Sequence, residues 1–381
     1  MFSADEFPIL ASGRIHMNHA GVAPLPARAR DAMIAYAQEA SGDFSLAGHR
    51  RWFGRVAAAR AAAARLLGAE PAEIAFTKNT TQGLQIVANC LAWQAGDVIL
   101  VEETTFPANW YVWKALERRH GVRVLTWPER ALRYELDDLA HLLRAHPVRL
   151  VSLSAADYAT GFRHDLAAAG ALVRAAGALF CVDAIQVLGA LPLDVRACGV
   201  DFLSADGHKW MLGPEGAGIF YARRERLDLL DDSQSGWTGR VDFMDFDRRD
   251  LPPDPTARRF EEGALNIAGI LGLGGALEVL LEAGADVIES RLRAHRARLL
   301  EAVTALGWEL VSPPEGPHAT GTASFRHPTL EAGEVAARLV DAGVTCTARR
   351  GLLRFSGHFY QPPAQMDRVA EALAAVGRTL Q

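Results

Sequence analysis

Between residues 73 and 221 the chain repeats one pattern: a short apolar run, a turn, then a longer helical stretch. This alternation constrains the fold more than any other feature, because a strand buried on both faces needs helices to cover it. Strand-like runs occupy residues 73–77, 97–101, 123–126, 149–153, 178–182, 200–204 and 217–221. Helices are predicted over 79–91, 110–119, 136–144 and 166–176, preceded by an Ala- and Arg-rich helix over 56–67 that Gly68 stops. The expectation is an α/β domain whose mostly parallel sheet is covered on both faces.

After about residue 221 the pattern changes. Leu251-Pro-Pro-Asp-Pro255 reads as a connection, and 267–306 as largely helical with a break near 283–286. Gly272, Gly274 and Gly275 fall inside that stretch but do not spell G-x-G-x-x-G, so close helix packing explains them better than a phosphate site. Short strands over 322–325, 344–347 and 352–355 then mix with helices over 332–341 and 366–376. The predicted division is a large α/β domain, 14–255, and a smaller C-terminal α+β domain, 256–381 with part of 1–13.

Composition narrows the function. The net charge is −5, which leaves no basic footprint for a nucleic-acid partner. No long uncharged apolar run suggests a membrane span, and the first 30 residues hold no apolar core of a signal peptide. Cys90, Cys181, Cys198 and Cys346 are scattered with no C-x-x-C pair, which fits neither a zinc site nor a disulfide framework. No metal is expected, and a reducing cytoplasm is the simplest home.

Three strand ends carry polar groups. Asp183 closes the run ALFCVD, where open α/β sheets bind ligands; the bland alternative is a helix cap. Thr80 and Thr81 open a helix, where hydroxyls and free N–H groups suit phosphate. Lys209 stands in Ser204-Ala-Asp-Gly-His-Lys-Trp-Met-Leu-Gly-Pro-Glu-Gly216, just after another strand. A lysine there is costly to bury unpaired, unless a lowered pKa makes it a nucleophile or base. A phosphate site, a carboxylate and a lysine suggest one ligand with a phosphate, a basic ring nitrogen and a carbonyl. Pyridoxal 5′-phosphate (PLP) has all three.

The combination of strand–Asp-x-x-Gln, strand–Asp-Gly-His-Lys and an upstream Thr-Thr-x-Gly resembles the class V aminotransferase family of fold-type-I PLP enzymes, from Met17-Asn-His-Ala20 to Arg354. The family includes cysteine desulfurases, isopenicillin N epimerase and kynureninase. The resemblance implies a Schiff base on Lys209, which then acts as acid and base. It implies that Asp183 pairs with the pyridine nitrogen, Gln186 bonds the ring hydroxyl, and Thr80, Thr81 and His208 hold the phosphate. Phe106 would stack on the ring, and Arg354 would clamp the substrate carboxylate. His19 and Tyr158 are further candidates for the substrate pocket, as are His49, Arg50 and His358. A homodimer acting on an α-amino acid, a small-molecule substrate, is implied. Transamination is the family default; elimination, as in a cysteine desulfurase-like or C–S lyase, or epimerisation would use the same residues. A catalytically silent partner protein with this fold is the rival from another class, and the intact Lys209, Asp183 and Arg354 argue against it.

The sequence departs from the family pattern at three places. Cys346 lies in an apparent strand with a short loop before Arg354, and is expected to be a core residue rather than a persulfide carrier. Asp206 replaces a phosphate-binding serine; two anions cannot touch without a proton or cation between them, so Asp206 is expected to point elsewhere or Ser204 to substitute. Ala264 stands where relatives place a threonine that reaches the partner subunit's phosphate. Finally, ATGFRHDL (159–166) and FPANW (106–110) resemble the epimerase- and kynureninase-like branch, with Arg163 and Asp165 structural.

Overall fold

A computed structural model describes residues 3–42 and 45–380. A seven-stranded sheet forms its centre, in the order β2-β8-β7-β6-β5-β3-β4. Its strands are β2 (Ile74–Thr77), β3 (Val98–Glu102), β4 (Arg123–Trp127), β5 (Val148–Ser154), β6 (Leu179–Asp183), β7 (Phe202–Asp206) and β8 (Gly218–Ala222). β8 alone runs against its neighbours β2 and β7, so the other strands all point the same way. The predicted strands appear within a residue or two of their expected ends.

Both faces are covered, as the near-continuous apolar runs require. Alternate residues serve two cores: Ile74, Phe76, Leu203 and Ile219 face one, and Ala75, Ile99, Phe202 and Phe220 the other. The first core lies under α1 (Ala27–Gly42), α2 (Leu46–Leu67), α5 (Leu136–Ala145), α6 (Leu166–Ala175) and α7 (Ile267–Ala283). The second lies under α3 (Thr80–Cys90) and α4 (Pro107–His120). Helix α2 starts earlier than predicted, with Ser45 as its cap, and ends as predicted at Gly68, whose φ of 64° suits glycine. The glycines of α7 are packing residues: a Cβ on Gly275 would stand 2.8 Å from the Arg28 carbonyl oxygen, and one on Gly274 2.9 Å from Ala59 Cβ. Helix α7 thereby lies close against α1 and α2.

A third core joins α8 (Ala285–Thr304), α9 (Ala332–Asp341) and α10 (Ala364–Leu380) to a sheet of order β12-β13-β10-β9. These strands are β9 (Glu309–Leu310), β10 (Thr322–Arg326), β12 (Thr347–Arg349) and β13 (Leu352–Ser356). The single strand predicted over 344–347 is two. β11 (Val344–Thr345) pairs with β1 (Ile15–His16), and the chain then turns at Cys346 into β12, in the other sheet. The N-terminal residues around Ile15 and Met17 therefore join the C-terminal core. No single helix among the described residues is long and apolar enough to cross a membrane.

Candidate active site

Because β2, β3, β5, β6 and β7 run the same way, their carboxyl ends share one sheet edge, the usual ligand edge of open α/β folds. Thr80, Phe106, Asp183 and Lys209 each follow or end one of these strands.

Asp183 is the last residue of β6 and is buried. Its Oδ2 accepts from Asn109 Nδ2 at 2.8 Å and its Oδ1 from the Ile185 N–H at 3.1 Å. Burial raises its pKa, against the two hydrogen bonds and the charge of Lys209. Neither donor is a cation, so the buried carboxylate keeps room for a charged partner. Asn109, in the first turn of α4, was not singled out from the sequence. Its signal is a polar residue on the buried side of a helix that starts at Phe106-Pro107.

Lys209 follows β7 and is partly buried, with Nζ 5.6 Å from the centroid of the Phe106 ring. Burial lowers its pKa to about 8; Asp183 opposes the shift, and Arg354 and Arg349 assist it. Phe106 caps α4 without a side-chain hydrogen bond and meets Tyr158 edge-on at 5.3 Å.

At the start of α3, Asn79 accepts from the Gln82 N–H. Thr80 Oγ1 accepts from the Asp206 N–H at 3.1 Å, and Ser204 Oγ donates to the Thr80 carbonyl at 3.0 Å. Gly83 makes this approach possible: a Cβ there would lie 2.2 Å from Ser204 Oγ. Ser204 thus ties α3 to β7, and is not the substitute for a phosphate-binding serine. Asp206 turns to His208 instead. Its Oδ1 accepts from the Gly207 N–H at 2.7 Å, and its Oδ2 lies 3.0 Å from His208 Nδ1, out of line for a hydrogen bond. When the ring is protonated, a cation accompanies the acid.

Gln186 is held on both sides: Nε2 donates to the Ala20 carbonyl and Oε1 accepts from Trp210 Nε1, each at 3.1 Å. One N–H of its carboxamide is left.

Arg354 sits in β13 opposite Ser324 and Thr347, with only 1% of its surface exposed. Nη1 donates to the Tyr158 carbonyl, Nη2 to Asn18 Oδ1 at 3.2 Å, and Nε has no partner. Burial lowers its pKa to about 10, so it stays charged near neutrality. Asn18 was quoted only as part of a motif, and its support of Arg354 becomes visible once Asn18, just after β1, bridges Ser356 at the end of β13.

The remaining candidates scatter. His19 is fully buried; Nδ1 bonds the Ser356 carbonyl and Nε2 the Tyr360 hydroxyl, both at 2.9 Å. His358 is equally buried, donating from Nε2 to the Trp210 carbonyl at 3.1 Å and accepting at Nδ1 from the Phe359 N–H. Tyr158 contributes its carbonyl and its ring edge. His49 and Arg50 lie on α2, where His49 meets the Trp52 ring at 5.2 Å. Asp165 caps α6, and Arg163 bonds the Pro192 carbonyl, both structural roles. Cys346 is buried in the third core, and burial pushes its thiol up to about 12.

These residues fit PLP on their own chemistry. A buried carboxylate awaits a cationic partner, an amine of lowered pKa stands beside an exposed aromatic face, and a helix N-terminus offers donors for phosphate.

Known proteins support the same reading. The sequence model described as aminotransferase class-V matches residues 15–369. A probable cysteine desulfurase of Pyrococcus abyssi is 29% identical over 336 residues, 84% of this chain and 83% of that protein. The apo structure of a cysteine desulfurase from Thermococcus onnurineus NA1 superposes with a TM-score of 0.90 over 100% of this chain and 99% of that one, at 23% identity. The cystine C–S lyase C-DES, bound to its product cysteine persulfide, gives 0.87 at 25% identity over 97% and 99% of the two chains. A C-DES mutant carries glycine covalently linked to its PLP cofactor and gives the same TM-score, also at 25% identity, over 98% and 99% of the two chains.

Proposed function

The chain belongs to the aminotransferase class-V family, and from that premise we propose that it transfers the amino group of an α-amino acid to a keto acid. It is a PLP-dependent enzyme acting on an amino acid. When bound, the cofactor supplies an electron sink for the pair left on Cα after a bond to that carbon breaks.

The chain's own residues have the following roles. Lys209 Nζ holds the cofactor and, once the substrate amine takes its place, removes the proton from Cα; a pKa near 8 suits both giving and taking a proton. Asp183 keeps the ring nitrogen protonated, and Asn109 fixes the carboxylate in place. Phe106 covers the ring, Gln186 offers its remaining N–H to the ring hydroxyl, and Thr80, Thr81 and His208 receive the phosphate. Arg354 takes the substrate carboxylate, its free Nε being the unsatisfied donor, while Tyr158 and Asn18 hold its other side. The observation that carries this reading is the buried Asp183 with no cationic hydrogen-bond partner, on the same sheet edge as Lys209.

A second reading, a C–S lyase, is favoured by the likeness to C-DES. Elimination starts from the same proton removal. A route through an enzyme persulfide is disfavoured by Cys346, whose buried thiol is not a ready nucleophile. Mixing the holoenzyme with a panel of amino acids, with and without pyruvate or 2-oxoglutarate, separates these readings. Transamination releases at most one equivalent of keto acid per enzyme without an acceptor, and turns over only when one is present. A lyase releases pyruvate, ammonia and sulfide without one. Loss of all activity in Cys346→Ser would restore the persulfide route.

A homodimer in a reducing cytoplasm completes the proposal. Trp237, Met244 and Phe246 form an exposed apolar group between β8 and α7, suited to a subunit contact, and the four cysteines are unpaired.

A further inference from the structure

Arg349 has no part in the reading above, yet the structure brings it to the same place. β12 and β13 pair antiparallel with Thr347 opposite Arg354 and Arg349 opposite Leu352. Side chains two apart share a face, so Thr347, Arg349 and Arg354 point to the same side of this sheet. The Arg349 guanidinium folds back along the strand: Nη1 donates to Thr347 Oγ1 at 2.9 Å and to the Ala348 carbonyl at 2.8 Å. The side chain is exposed at the end of β12, but these bonds hold it along the strand on the face it shares with Arg354. Its charge is close enough to press down the pKa of both Lys209 and Arg354.

Arg354 bonds only a carbonyl and an amide oxygen, with no carboxylate among its hydrogen-bond partners. Arg349 has no carboxylate within ion-pair distance among the described residues, and its Nη2 and Nε make no hydrogen bond there. Asp157, the carboxylate whose charge reaches Arg354, is already occupied. Asp157 Oδ1 accepts from the Ala159 N–H (3.0 Å), the Thr160 N–H (2.6 Å) and the Thr160 hydroxyl (2.7 Å). One substrate carboxylate neutralises Arg354 and leaves Arg349 unanswered.

The turn that carries Arg349 is also pinned. Arg350, at a φ of 51°, makes two bonds of 3.1 Å to the Glu129 carboxylate. Glu129 in turn accepts from Thr104 Oγ1 at 2.9 Å, two residues before Phe106. A bidentate ion pair thus ties the β12–β13 turn to the loop that presents Phe106.

We propose that Arg349 binds a second negative group on the substrate, so that the enzyme prefers amino acids whose side chain ends in a carboxylate, with Arg350 and Glu129 as positioning residues. The inference rests on the reading of Arg354 as the clamp for the first carboxylate.

The test is a ratio of affinities that needs no turnover. Calorimetric titration of the holoenzyme compares succinate with butyrate, and glutarate with valerate, pairs that differ in one carboxylate. The better dicarboxylate binds about tenfold more tightly than its partner or better, the worth of a charged hydrogen-bonded contact. Arg349→Gln brings the ratio to within twofold, Arg349→Lys keeps part of it, and Glu129→Gln lowers it by loosening the turn. Equal binding of each pair by the wild-type enzyme, or a ratio that Arg349→Gln leaves intact, overturns the proposal. If no amino acid is converted, the transaminase reading fails, while the dicarboxylate ratio still decides this one.

Discussion

Replacing Asp183 by asparagine separates chemistry from folding unusually cleanly. In the wild type, Oδ1 accepts from the Ile185 N–H and Oδ2 from Asn109 Nδ2. An asparagine can keep the first bond, but its amide nitrogen would then face the Asn109 amide nitrogen. Asn109 has a remedy: its Oδ1 is buried and without a partner, so a half-turn of its carboxamide presents an acceptor. The variant therefore loses no hydrogen bond. The charge itself is a burden on the chain without its cofactor. Burial raises the folded pKa of Asp183 above its unfolded value, so the folded chain binds more protons and its stability falls as pH rises through that interval. At neutral pH, Asp183→Asn of the cofactor-free protein should melt at the wild-type temperature or slightly above it. Catalysis should suffer heavily. A buried carboxylate facing a ring cation is worth about 3–5 kcal/mol when one partner is removed, or roughly two to four orders of magnitude in rate. The assay pairs a melting curve of the apoprotein with the turnover of holoenzyme whose cofactor content is fixed by absorbance. Turnover within fivefold of wild type at full cofactor occupancy would refute the pairing of Asp183 with the ring nitrogen. A fall in melting temperature would refute the rotation of Asn109.

Three further outcomes are expected. Cofactor uptake by the apoprotein should accelerate as pH rises, with a midpoint about 8 rather than 10.5, because the neutral Lys209 amine is the nucleophile; stopped-flow absorbance checks this, and a midpoint above 10 contradicts it. Gly83→Ala should cost about 1–3 kcal/mol in urea unfolding and weaken PLP binding, since its Cβ has no room beside Ser204; a silent substitution would show that α3 can move off β7. His358 is held at a pKa of about 3 by burial, against 6.5 when unfolded, and burial also holds His19 well below its ordinary value. These groups bind protons more readily when unfolded, so their contribution is complete above pH 6.5 and is lost as pH falls toward 3. His358 alone should withdraw about 2 kcal/mol by pH 5. Melting temperatures equal at pH 7 and pH 5 would show that the buried rings are not forced to stay neutral.

The sequence by itself determined the large sheet and most of what stands at its edge. Apolar runs of strand length between helical stretches can be buried only inside a two-sided sheet, so their order in the chain already predicts the strands. Polar residues that end such runs, Asp183 above all, must emerge at the carboxyl edge, which makes them legible one by one. Lys209 and Thr80 are legible because each follows its strand within a few residues. Contacts between distant segments have no such local signature. Asn109 reaches Asp183 across 74 positions, Asn18 reaches Arg354 across 336, and Arg350 reaches Glu129 across 221. The turn at Cys346, which passes the chain from one small sheet to another, looked like one continuous strand because both pieces are extended. Asp206 was expected to point away from the phosphate or to yield its role to Ser204, and only the turn after β7 set it beside His208. A residue's type and its place along a strand are local facts. Which charge meets which is settled when strands far apart in the chain take their register.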